Sequence, residues 1–214
     1  MKAALVPRPS GELLLLGAVR GHVDDVPPLL ARLEQFSPRR LGVGLSFDEM
    51  TGLNDHFVHH SSEPLVSLTQ SETSEVLGLA KFGEVRVPHP AYVAVLEWAR
   101  DRGLAVEALE PSDERFATMF TDHIGYVELV RRTLRERSLV RKPPEAASAD
   151  VYAVNWDASI ASGRGSRSFA RARERVIAEA AMKLAAPGGR AAAVVDRERF
   201  DGVEAVLRSE PGAR

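Results

Sequence analysis

The stretch Leu13-Leu14-Leu15-Leu16-Gly17-Ala18-Val19-Arg20-Gly21-His22-Val23-Asp24-Asp25-Val26-Pro27-Pro28 constrains the fold more than any other. Four consecutive leucines show no apolar/polar alternation, which suits a central strand covered on both faces, as in a sheet with parallel neighbours. Gly17 and Gly21 permit a tight turn. Asp24 or Asp25 is placed to cap a helix whose first turn takes Pro27 and Pro28. The segment therefore reads as strand, turn and helix. In open α/β sheets ligands bind beyond the carboxyl ends of the strands, so Arg20 and His22 stand where a site would be expected.

The same reading extends along the chain. Val26, Leu29, Leu30, Leu33 and Phe36 recur at helical spacing, and Leu41-Gly42-Val43-Gly44-Leu45-Ser46 reads as the next buried strand, joined through a right-handed parallel crossover. A helix is expected over 91–102, stopped by Gly103, and a strand over 104–110. Ser112 is placed to cap a helix through Phe116 and Phe120, and 121–142 is strongly helical. Pro143-Pro144 marks a hinge. A long helix over 169–185, a strand over 190–196 and a helix from Phe200 to Leu207 complete the chain. The expectation is a single α/β domain over 1–214, with a largely parallel or mixed central sheet flanked by helices and a helical insertion over 112–160.

Composition narrows the function. A net charge of -2 over 214 residues gives no general attraction to nucleic acid or anionic membranes. Cysteine is absent, which removes disulfides, thiolate metal ligands and a thiol nucleophile. Pro7, Arg8 and Pro9 interrupt the opening residues, which read as neither a signal peptide nor a membrane span. A cytoplasmic protein with no membrane partner is expected.

Four clusters carry chemistry. His56, His59 and His60, with Asp55 nearby, could ligate a divalent metal if helical. Glu110, at a strand end, could act as an acid or simply be a solvated carboxylate. Arg131, Arg132 and Arg135 read first as a salt-bridged outer face; the alternative is an anion or nucleic-acid surface, for which the usual interleaved aromatics are missing. The Gly163–Arg167 loop could cradle a phosphate at a helix N-terminus but lacks the P-loop lysine and spacing.

The opening Leu-Leu-Gly-Ala-Val-Arg unit, the Arg173-Glu174-Arg175-Val176-Ile177-Ala178 helix and the closing Val194-Val195-Asp196-Arg197-Glu198-Arg199-Phe200-Asp201-Gly202-Val203 resemble the TraB/PrgY/GumN family. The likeness is spread over about 12–207 and is strongest at the two ends. The family's pattern is a strand ending in Gly-Thr-x-His, a glutamate closing the second strand, an arginine on the late helix and a final Val-Gly-x-x-His. Its relatives include metal-dependent proteases and the erythromycin-esterase/ChaN group. In this chain the first histidine position is Arg20, the glutamate position Gly44, and the closing glycine and histidine positions Asp196 and Arg199. Of the family's residues only the late-helix arginine, Arg173, remains.

Arginine stays protonated and neither ligates a metal nor shuttles protons readily, so the family's metal site is lost. If the fold is kept, Arg20 and Arg199 leave neighbouring strand ends and meet Arg173. Three guanidinium groups would suit a carboxylate or phosphate, unless Asp24, Asp196 or Glu110 neutralises them in an internal ion-pair network. The expectation is a catalytically degenerate, TraB-like protein that binds an anionic small molecule or a protein partner and needs no cofactor; a homo-oligomer is left open. The alternatives are a metal-dependent hydrolase with a displaced site built from His22, Asp24 and Glu110, drawing on the His56/His59/His60 cluster, and a weak nucleic-acid binder.

Overall fold

A computed structural model describes residues 1–8, 11–59, 69–186 and 189–210, with the backbone alone for 55–59. Its centre is a five-stranded sheet built from β1 (Lys2–Arg8), β2 (Gly11–Ala18), β3 (Arg40–Val43), β4 (Val106–Ala108) and β5 (Gly189–Asp196), in the order β1-β2-β5-β3-β4. β1 runs antiparallel to β2, and the other pairs are parallel. This is an α/β fold with a mixed, mostly parallel sheet. The leucine run lies on β2, an inner strand, while β5 holds the centre and separates β2 from β3.

Alternation along β2 sends its leucines to two different cores. Leu13 and Leu15 pack with Ile177, Ala181, Phe200 and Val203 from α8 (Arg164–Ala185) and α9 (Arg197–Ser209). Leu14 and Leu16 pack with Leu29, Leu33, Tyr92 and Val95 from α1 (Val26–Phe36) and α4 (Pro90–Asp101). Helices thus cover both faces, as the unbroken apolar run requires. The alanines of β5 keep the central strand thin enough for both layers to close on it. At Gly17 a Cβ would lie 2.8 Å from the Phe200 ring, so glycine lets α9 approach β2.

Over the carboxyl ends of the strands lie α2 (Phe47–His59), α3 (Gln70–Leu79), α5 (Asp113–His123), α6 (Tyr126–Arg141) and α7 (Ala149–Ile160). Val19, Leu79, Tyr152, Ala153 and Trp156 form a third apolar cluster there. The region expected as a helical insertion is occupied by α5, α6 and α7. Among the described residues no helix is long and apolar enough to cross a membrane.

Two elements come in addition to those expected, and two local expectations need correction. Residues 2–8 form a strand despite Pro7, because an edge position tolerates proline. Residues 47–59 form a helix, although their apolar stripe is weak. Asp25 occupies the N-cap of α1 without capping it; its Oδ2 accepts from the Val19 amide at 2.7 Å and so fixes the turn after β2. The expected loop at 163–168 is the cap and first turn of α8, with Gly163 as N-cap.

Candidate functional site

The residues at the strands' carboxyl ends, read from the backbone outward, form a buried charged network. The in-register pairing of Ala18 with Asp196 and of Val43 with Val194 brings the exits of β2, β5 and β3 side by side. Arg20 follows β2; Asp196, Glu198 and Arg199 span the junction between β5 and α9. Asp196 is the hub. Its Oδ2 accepts from Arg20 Nη2 at 2.9 Å, and its Oδ1 accepts from the Tyr92 hydroxyl at 2.7 Å. Burial would raise the Asp196 carboxyl, but the Arg20 guanidinium and the Tyr92 hydrogen bond outweigh it and hold the group ionised.

Tyr92 reaches Asp196 because Gly44 has no side chain. A Cβ at position 44 would lie 2.9 Å from the Tyr92 hydroxyl and 3.2 Å from Val195 Cα. The place where the resemblance puts a glutamate is thus filled by a tyrosine hydroxyl arriving from α4.

The two other arginines are also paired. Arg173 donates from Nε to Glu110 Oε2 at 2.8 Å, and Glu110 is buried with 5% of its side chain exposed. Arg199 binds Asp157 and stands 3.5 Å from Glu174. Arg20, Arg173 and Arg199 nevertheless line one cavity of about 510 Å³, whose walls also carry Asp157, Asp196, Glu198, Glu75 and Glu72. Buried charge is balanced pairwise, as desolvation demands.

Two carboxyls in this cavity differ from the rest. Burial pushes Glu198 up to about 8, with the neighbouring Asp196 adding to the effect, and Oε2 has no hydrogen-bond partner. Burial also raises Glu75 to about 7, against the pull of Arg20. Glu198 therefore holds a proton near neutral pH and Glu75 is divided between its two forms, because burial disfavours the charge of both.

A second, more apolar chamber of about 300 Å³ adjoins the first and shares Arg20, Glu72 and Glu75 with it. Leu45, Leu53, Val76, Leu79, Val87 and Pro88 line it, together with His89. Burial and the nearby Arg20 lower the His89 imidazole to about 4, so it is neutral at physiological pH.

The expected site residues fall into three groups. Arg20, Arg173 and Arg199 converge. His22 and Asp24 do not join them: His22 is buried, with Nε2 3.4 Å from the Phe82 carbonyl and 4.0 Å from Asp24 Oδ2, and neither residue lines either cavity. Glu110 is bound to Arg173 rather than to His22 or Asp24, so the displaced site is not assembled. The side chains of His56 and His59, and all of His60, lie outside the described residues. Among the described residues no three His, Cys, Asp or Glu side chains are grouped so as to hold a metal ion.

The basic surface is largely neutralised. Arg132 donates to Glu136 at 3.1 Å, and Arg135 donates to Glu128 at 3.2 Å and to the Ile160 carbonyl at 3.1 Å, leaving Arg131 as the exposed member of the trio. The start of α8 already holds an internal anion: Glu128 accepts from Ser166 Oγ at 2.8 Å, and a Cβ on Gly163 would collide with that carboxylate.

Tyr92, Glu75, His89 and Glu198 were missed by sequence reasoning. Glu198 had a signal, because the apolar strand ends directly in Asp196-Arg197-Glu198-Arg199 and places that charge at a strand exit. No protein-family model matches the chain, and no curated protein sequence matches it.

Proposed function

We propose that this chain is a binding protein, a divergent relative of the TraB/PrgY/GumN group, whose cavity takes a small polar molecule of mixed charge. One observation carries the reading: Arg20, Arg173 and Arg199, positions that the resemblance selects from three separate parts of the chain, meet around one cavity at the sheet's carboxyl end. The residues they bring with them refine the ligand. Each guanidinium already faces a carboxylate, so a multiply charged anion would compete with Asp196, Glu110 and Asp157 for the same donors. A guanidinium has five N–H donors and keeps spare edges for one carboxylate, while Glu75, ionised in part near neutral pH, can accept from an ammonium and the unpartnered Oε2 of Glu198 from a hydroxyl group.

Thermal-shift and calorimetric titration with glycine, acetate and methylammonium tests the reading. Glycine is expected to stabilise the protein more than acetate and methylammonium combined, and Arg173→Gln, checked for folding by circular dichroism, is expected to weaken glycine binding about tenfold or more. Equal responses to glycine and acetate, or none to any of the three, would overturn it.

A further inference from the structure

The two chambers meet at a waist formed by Arg20, Glu72 and Glu75, and from that junction we infer a narrower ligand class: an α-amino acid with an apolar side chain, its head at the waist and its side chain in the second chamber. The inference rests on the mixed-charge reading above.

The waist offers the Arg20 guanidinium to a carboxylate and the Glu75 carboxyl to an ammonium beside it, while Glu72 adds only Oε1, because its Oε2 accepts from the Thr69 amide and hydroxyl at 2.8 Å. Arg20 is suited to serve both sides, since a third of its side chain is exposed while Asp196 fixes one edge of it. The second chamber is the opposite in character. Leu45, Leu53, Val76 and Leu79 supply its walls, and few polar groups remain in it. Glu49 is committed to the Ser46 amide at 2.8 Å, and His89 is uncharged. At about 30 Å³ for each water-sized group, the chamber has room for roughly ten, enough for an isobutyl or benzyl side chain.

A lone acid or amine with the same tail satisfies only half of the waist and leaves the other half desolvated without a partner. An amino acid without a tail satisfies the waist and leaves the apolar chamber wet. Both halves are therefore required for full affinity.

The test is calorimetric titration of the full chain with glycine, phenylalanine, 3-phenylpropanoate and 2-phenylethylamine. Phenylalanine is expected to bind roughly 10- to 100-fold more tightly than glycine, the gain that burial of one apolar side chain brings. It should exceed each single-charge analogue by about tenfold. Leu53→Trp, which fills the chamber, is expected to bring the ratio of phenylalanine to glycine affinity towards one; Val76→Phe repeats the test from α3 should Leu53→Trp fail to fold. Equal binding of glycine and phenylalanine by the unaltered protein overturns the inference and leaves the mixed-charge reading standing. Tighter binding of either single-charge analogue than of phenylalanine overturns the head assignment. No binding by any of the four removes both readings together.

Discussion

At the scale of single residues, the Gly44–Tyr92–Asp196 contact has the sharpest consequences. Gly44→Ala drives a Cβ against both the Tyr92 hydroxyl and the backbone of β5, and a cost of about 1–3 kcal/mol is expected by urea unfolding. Tyr92→Phe removes a buried donor from Asp196 and should cost about 1–3 kcal/mol by itself. It also relieves the nearest clash that Gly44→Ala creates, so the double variant should lose less than the two single variants summed, and additivity within about 0.5 kcal/mol would disprove the coupling. Glu198 makes a second prediction. Its folded pKa of about 8 lies above the ordinary 4.5, so the folded state holds the extra proton between those values. Its contribution is thus intact below pH 4.5 and is lost as pH rises through 8. Glu198→Gln should raise the melting temperature at pH 8.5 by several degrees and leave little difference at pH 4.5; an equal effect at both values would count against a protonated Glu198.

At the scale of elements, α6 separates paired from unpaired charge. Arg135 ties α6 to the end of α7 through the Ile160 carbonyl and to the start of α8 through Glu128. Arg135→Ala is expected to cost about 1–2 kcal/mol, against less than about 0.5 kcal/mol for the exposed Arg131→Ala, as measured by chemical denaturation. Elements also show where the sequence was readable. β2, β3, β5, α1, α4 and α8 were legible because buried strands and amphipathic helices leave strong apolar patterns. β1 was not, since Pro7 and Arg8 mask a strand whose edge position makes them harmless. The start of α3 was legible and overlooked: Thr69 and Glu72 form a reciprocal capping box, a spacing visible in Thr69-Gln70-Ser71-Glu72. For the site, Arg20 and Arg199 could be brought together because both follow strand exits. Tyr92, Glu75 and His89 could not, since a helix's rotation and height over a sheet are set by tertiary packing that no local pattern records.

At the scale of the whole molecule, the strand order sets the hierarchy of stability. β5 is bonded on both sides and covered on both faces, so the amides of Ala192, Ala193 and Val194 are expected to exchange most slowly with solvent deuterium, at the rate of global unfolding. Amides of β4, a three-residue edge strand, should exchange faster, and the reverse order would be incompatible with this sheet. The same topology bears on how the chain is made. The strand at the middle of the sheet is the last of the five to be synthesised, and β2 and β3 are each hydrogen-bonded to it and not to each other. On the ribosome the leucines of β2 must therefore wait, unpaired on one edge, until residues 189–196 have left the exit tunnel. At ordinary elongation speeds that delay is roughly 10–30 s. Nascent chains stalled before residue 189 should consequently remain protease-sensitive and occupy chaperones, and the domain should become resistant in one step once β5 is released.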